Sequence, residues 1–279
     1  MQDHKGLIIS IVSHKGGTAK TSVCASLSHS LANKGYKVLA IDMDPQSDLS
    51  KLLVATRYGG SIENIPRTLY DALKKESPLP IQEVVHGTPF ENLFCIPNST
   101  ASNILEIDLY GNVSESFVYL RTHLRDWAKE NYDFIIIDNA PTLSLWVHMS
   151  LYASDFAIIP VEAGSQFSLE GIKPALQLIA SLQKHGNPDL AFLRLLVNKV
   201  DLRTSKSKSA VSEICERFGR EMVFDTTIPY SAEFHKAEEN HTTVLRQAPR
   251  SSASQKYRTL AQEICTLVEI PVPVKDKTD

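Results

Sequence analysis

Ten residues near the start of the chain, Ser13-His14-Lys15-Gly16-Gly17-Thr18-Ala19-Lys20-Thr21-Ser22, join two lysines and a glycine pair to several hydroxyls. They follow the apolar stretch Leu7–Val12 and precede a helical pattern. A strand running through a glycine turn into a helix aims backbone N–H groups inward, and the helix start adds partial positive charge. That geometry cradles phosphate. Lys20 is placed to reach β/γ-phosphates and the Thr21 hydroxyl to ligate Mg²⁺. The strict pattern G-x-x-x-x-G-K-[ST] fails at both glycines, because position 14 is His and position 19 is Ala. What fits is K-G-G-x-x-K-[ST], which begins with a second lysine, Lys15. Ala19 carries a Cβ and is expected to keep φ negative.

Two further segments end in carboxylates. Asp42-Met43-Asp44-Pro45-Gln46 closes one apolar run, and Asp138-Asn139-Ala140-Pro141 closes another. An aspartate at the end of an apolar strand is what a nucleotide site uses to hold Mg²⁺. Asp42 and Asp44 alternate along an extended chain and face opposite sides, so one suits the metal and the other an attacking water. Taken alone, Asp-x-Asp-Pro reads as a turn; beside a phosphate loop and Asp138 it reads as catalytic.

These residues need a scaffold that gathers strand ends. Strands are expected at Leu7–Val12, Lys37–Ile41, Leu93–Ile96, Phe134–Ile137, Phe156–Val161, Leu193–Val197 and Met222–Phe224. Several are flush with Val, Ile and Leu, the pattern of strands buried on both faces. Helices are expected at Thr21–Asn33, stopped by Gly35, along Phe117, Leu120, Leu124 and Trp127, and at Ala210–Phe218 and Ser252–Val268. The fold class is therefore α/β, a doubly wound, mainly parallel sheet with helices on both faces, its ligands at the carboxyl ends of the strands. Residues 1–270 form one domain and 271–279 a frayed tail.

With 279 residues and net charge −3, the chain is no polycation, so any nucleic-acid binding needs a local patch or assembly. The four cysteines lack a C-x-x-C pair, which points to a reducing, cytoplasmic setting without a zinc or iron–sulfur site. There is no signal-peptide core and no apolar stretch of membrane-spanning length. Arg203, Lys206 and Lys208 punctuate a serine-rich loop, and Arg246, Arg250, Lys256 and Arg258 fall in a stretch without Asp or Glu. Two such stretches suggest a positive face for a phosphate backbone, against the alternative of solvated surface. Trp127 and Trp146 are expected in the core.

Lys15-Gly16-Gly17-Thr18-Ala19-Lys20-Thr21, Asp42-Met43-Asp44-Pro45-Gln46 and Ile137-Asp138-Asn139-Ala140-Pro141 together resemble the ParA/Soj partition ATPases, a group with a deviant Walker-A loop. The resemblance implies an ATP-dependent homodimer in which Lys15 reaches the partner's nucleotide. Gly16 to Ser22 would bind the phosphates of the chain's own ATP, Thr21, Asp42 and Asp138 would hold Mg²⁺, and Asp44 would position the hydrolytic water. It further implies nonspecific double-stranded DNA binding, through residues such as Arg203, Lys206, Lys208, Arg246 and Arg250, a ParB-like activator, no membrane, and a nucleoid-associated place in the cytoplasm. The chain starts at the first strand, like short forms without a helix-turn-helix domain. Ile228-Pro229-Tyr230-Ser231-Ala232-Glu233 lacks the arginines that the family carries there. Asn198-Lys199-Val200-Asp201 looks like the guanine-reading N-K-x-D tetrad, yet Lys15 and Asp44 favour ATP, with Asn198 and Pro229 near the base. The competing readings are a MinD-like positioning ATPase and an ATP-dependent synthase on the same scaffold.

Overall fold

Seven strands form one sheet in the computed structural model, which describes residues 5–165, 170–201, 203–271 and 273. They are β1 Leu7–Ile11, β2 Val38–Met43, β3 His86–Gly87, β4 Leu93–Ile96, β5 Phe134–Asn139, β6 Phe156–Glu162 and β7 Ala191–Asn198. Their order is β3-β4-β2-β5-β1-β6-β7. Every pairing is parallel except β3 with β4. The expected doubly wound sheet is present, and its carboxyl ends share one edge.

Alternate residues of the central strands feed opposite layers. Ile9, Ile11, Val38, Ala40 and Ile136 pack on one face with the helices Lys20–Asn33 and Ser252–Leu267. Ile8, Leu39, Ile41, Ile135 and Ile137 pack on the other with Leu145–Ala153. Burial on both faces explains why these strands read as unbroken apolar runs. Helix Lys20–Asn33 is itself enclosed, so its buried face includes Ser26, Ser28, His29 and Ser30. Ser30 Oγ donates to the Tyr257 carbonyl (3.2 Å), and His29 Nδ1 meets Thr243 Oγ1 (2.6 Å). The helix ends at Gly35, whose φ of 97° turns the chain into β2.

Three expectations need correction. Met222–Phe224 is not a strand: Arg220–Met222 is a 3₁₀ turn, and Val223 makes a single bridge to Leu195. The helix through Phe117 and Trp127 is interrupted by a π turn at Arg121–Arg125. There Arg121 donates to the Tyr152 carbonyl (3.0 Å) and Arg125 to the Ala153 carbonyl, and one wider turn brings both guanidiniums to the same helix end. Of the expected tail, Pro271 is docked, its carbonyl accepting from the Tyr36 hydroxyl (3.1 Å), while 272 and 274–279 lie outside the described residues. Trp146 is buried and Trp127 packs partly buried against the same layer.

Candidate active site

The loop between β1 and helix Lys20–Asn33 folds on itself. Lys15 N–H donates to Ser13 Oγ (3.3 Å), and Thr18 Oγ1 donates to the Lys15 carbonyl (3.4 Å). Gly17 takes φ 80°. Ala19 departs from expectation, standing at φ 63°, ψ 37°, in the left-handed region. Its carbonyl accepts the first helical bond, from Val23 N–H (2.9 Å), while the chain reverses around it. A Cβ there costs about 1–2 kcal/mol, which the packed helix that follows can hold in place.

Below the loop lies a cavity of about 580 Å³, walled by Gly16, Gly17, Ala19, Lys20, Thr21 and Ser22. Asp44, Asn198 and Pro229 also line it, as the sequence implied. Lys15, half-buried on the same loop, is not among its walls. Lys20 is buried, which holds its ammonium below the usual lysine range, while Asp138 and Asp44 favour its charged form.

Register brings the two strand-end carboxylates together: Asp42 of β2 pairs with Asp138 of β5. Both are fully buried, and their surroundings differ. Asp42 Oδ2 accepts from Ser50 N–H (2.9 Å) and Ser50 Oγ (2.6 Å), and Oδ1 accepts from Asp44 N–H (3.1 Å). Burial pushes its pKa up to about 7 against those bonds. Neither oxygen of Asp138 meets a donor in full hydrogen-bond geometry among the described residues, although the Thr21 hydroxyl lies close enough to favour its charged form. Burial first, then Asp42, pushes Asp138 well above the carboxylate range, and Thr21 and Lys20 pull it back. Two adjacent carboxylates stripped of water need added positive charge to stay ionised. Of the pair, Asp138 has oxygens left to offer. No group of three or more His, Cys, Asp or Glu side chains is assembled for a metal among the described residues, so a cation here would complete its shell from ligand or water.

Asp44 lies one residue past β2, its Oδ1 accepting from Gln46 N–H (2.9 Å), and its carboxyl is raised by burial. Asp48, in the same wall, is paired with Lys51 (2.6 Å). The guanine tetrad is not assembled. Asn198 Nδ2 donates to the Thr18 carbonyl (3.2 Å) and Oδ1 accepts from Lys199 N–H (2.8 Å), tying the loop down. Asp201 is bonded to Arg203 (2.9 Å) and is not a wall of the cavity.

Sequence reading missed the far wall: Tyr230, Ser231, Phe234, His235, Glu238 and His241. Val200 bridges Pro229 in parallel, so the chain beyond Pro229 continues along the sheet edge into helix Glu233–Glu239. Pro229 was the only signal for it. Glu238 Oε1 accepts from Ser22 Oγ (3.3 Å), closing the wall onto the first helix.

The residues expected to bind DNA fall in two segments. Arg203 is exposed beside Asp201, and Arg246 and Arg250 are exposed around helix Val244–Gln247. Lys206 and Lys208 fall in helix Ser205–Phe218, and their side chains lie outside the described residues.

Residues 6–192 match the family described as an AAA domain. The chain is 32% identical to the sporulation initiation inhibitor protein Soj of Bacillus subtilis over 259 residues, covering 93% of this chain and 98% of that protein. It is 30% identical to the chromosome partitioning protein ParA of Myxococcus xanthus, covering 93% and 88%. Its fold superposes with a TM-score of 0.77 on cobyrinic acid a,c-diamide synthase from Mycobacterium smegmatis with bound ADP and magnesium, at 22% identity and over 96% and 99% of the two chains. That likeness is one of architecture; the two partition proteins match in sequence over nearly the whole chain, which thus belongs to the ParA/Soj family of P-loop ATPases.

Proposed function

We propose that the chain is a Mg²⁺-dependent ATP hydrolase that dimerises around ATP, binds double-stranded DNA without sequence preference, and segregates chromosomal or plasmid DNA with a ParB-like activator. The observation that carries this reading is the division between the loop lysines: Lys20 lines the cavity and Lys15 does not. One serves the chain's own phosphates, and the other is placed for a second nucleotide across an interface.

Lys20 and the backbone N–H groups of residues 16–22 hold the β/γ-phosphates, and they act electrostatically, as phosphoryl transfer requires. Magnesium, whose oxygen donors here are Thr21 and Asp138, would neutralise charge on those phosphates. Asp42, with both oxygens bonded, steadies Ser50 and the Asp44 backbone and so positions the segment carrying Asp44. Asp44 accepts a hydrogen bond from the attacking water and aligns it with the γ-phosphate. Arg250 and Arg246 supply charge to DNA, and two copies in a dimer align their patches along one duplex. Such a protein works in the cytoplasm on the nucleoid.

Light scattering with ATP tests the reading through Lys15→Ala. The variant is expected to bind nucleotide as a monomer and to lose ATP-dependent dimerisation and turnover; normal dimerisation and turnover would remove the proposal.

A further inference from the structure

Behind His241 lies a second cavity of about 550 Å³, walled by Thr56, Arg57, Phe90, Asn240, Thr242, Arg246 and neighbouring residues. His241 lines both cavities. The second one carries no carboxylate in its walls. Two arginines line it from different parts of the chain: Arg57, on the 3₁₀ turn Ala55–Tyr58 with its guanidinium beside Gly87, and Arg246, on helix Val244–Gln247. Arg246 is exposed and lies 5.7 Å over the Phe90 ring, another wall of the cavity. Its charge is felt inside: buried His29, its ring tilted against Phe90 with centroids 4.2 Å apart, is pushed down to about 4 by burial and then by Arg246 and Arg258.

A wall group also lacks a partner. Thr242 is 9% exposed, and its hydroxyl takes no hydrogen bond among the described residues; the same holds for Nδ1 of His241. Neither atom has accessible surface, so the charge in the cavity comes from its arginines alone. Asn240 and Gln247, bonded to each other (3.0 Å), add amides to the same wall.

We propose that this cavity is a second anion site, which takes the phosphate group of a small phosphate ester between Arg57 and Arg246. Two guanidiniums match a tetrahedral oxyanion, and the volume lies in the range of small-molecule pockets. The site goes beyond nucleotide hydrolysis and stands whether or not the first cavity binds ATP. A ligand there would press on His241 and thereby on the far wall of the first cavity.

The test is calorimetric titration of the full chain carrying Lys20→Ala, with inorganic phosphate and with glycerol 3-phosphate as probes, so that the first cavity is disabled. Saturable binding is expected, weakened about tenfold by Arg57→Ala, about tenfold by Arg246→Ala, and abolished by both. In the otherwise unchanged chain, Arg57→Ala should leave ATP turnover intact, which shows that the variant folds. No saturation by roughly 10 mM probe, or binding indifferent to both arginines, overturns the proposal. So does an Arg57→Ala variant that loses duplex DNA in a gel shift and keeps the probes, because Arg57 would then belong to the DNA surface proposed for Arg246 and Arg250.

Discussion

The two cavities that His241 lines solve the problem of charge in opposite ways. At the first, Lys20 is a buried wall residue, Asp42 and Asp138 are buried on strand ends outside the walls, and Lys20 and Asp138 favour each other's charged form. In the second, Arg57 and Arg246 stand exposed on a 3₁₀ turn and a four-residue helix, with no carboxylate in the walls. Buried compensated charge is preorganised: its dipoles are fixed before a ligand arrives, which is what catalysis by electrostatics needs. Exposed charge of one sign attracts and holds, and it is screened by salt. The contrast sets the kind of charge that a reacting site needs against the kind that suffices to hold an anion.

Lys20→Ala should break the first cavity most completely. It removes the cation that favours the charged forms of buried Asp138 and half-buried Asp44. Nucleotide affinity should fall by at least about a hundredfold, read by fluorescent-nucleotide titration; wild-type affinity would mean that Lys20 does not meet the phosphates.

Asp44→Ala separates reaction from binding within the same cavity. Turnover should drop about a hundredfold or more while ATP affinity and dimerisation persist, since a water-orienting group acts in the transition state. Equal loss of binding and turnover would make Asp44 a metal ligand.

On the second side, His29 reports the exposed arginines through stability. Its folded pKa, about 4, lies below the ordinary 6.5, so its contribution is fully present above pH 6.5 and is lost as pH falls through 4. The loss amounts to roughly 3 kcal/mol. Denaturant melts of the wild type and His29→Gln between pH 7 and pH 4 should converge; parallel curves would show that His29 is not held neutral by burial and Arg246.

The smallest effect is on DNA. Arg250→Glu should weaken duplex binding and flatten the log–log salt slope of an ATP-bound dimer by about 2, while dimerisation survives. An unchanged slope would take Arg250 off the DNA surface.

Much of the first cavity was legible because its chemistry is local. The loop from Lys15 to Ser22 reads as strand, turn and helix from consecutive residues, and the apolar runs before Asp42 and Asp138 announce strands whose ends must share an edge. Ala19 escaped because an alanine in the left-handed region is imposed by the helix and loop on either side of it. The wall from Tyr230 to His241 escaped for another reason: its place depends on the bridge between Val200 and Pro229, which no periodicity encodes.

The chain by itself determined the sheet, the phosphate loop and the identity of the strand-end aspartates, because strand burial and glycine turns are set by neighbouring residues. Tertiary structure alone decided which aspartate keeps its oxygens for a cation. Ser50, eight residues beyond Asp42, returns on helix Asp48–Leu53 to bond that carboxylate, and β-sheet register sets Asp138 beside it with no donor in full hydrogen-bond geometry among the described residues. It also decided that Asn198 ties the loop instead of completing a tetrad with Asp201, and that Arg57 and Arg246, nearly two hundred residues apart in sequence, line one cavity. Hydrogen bonds and charges act over a few ångströms of space, and only folding sets those distances.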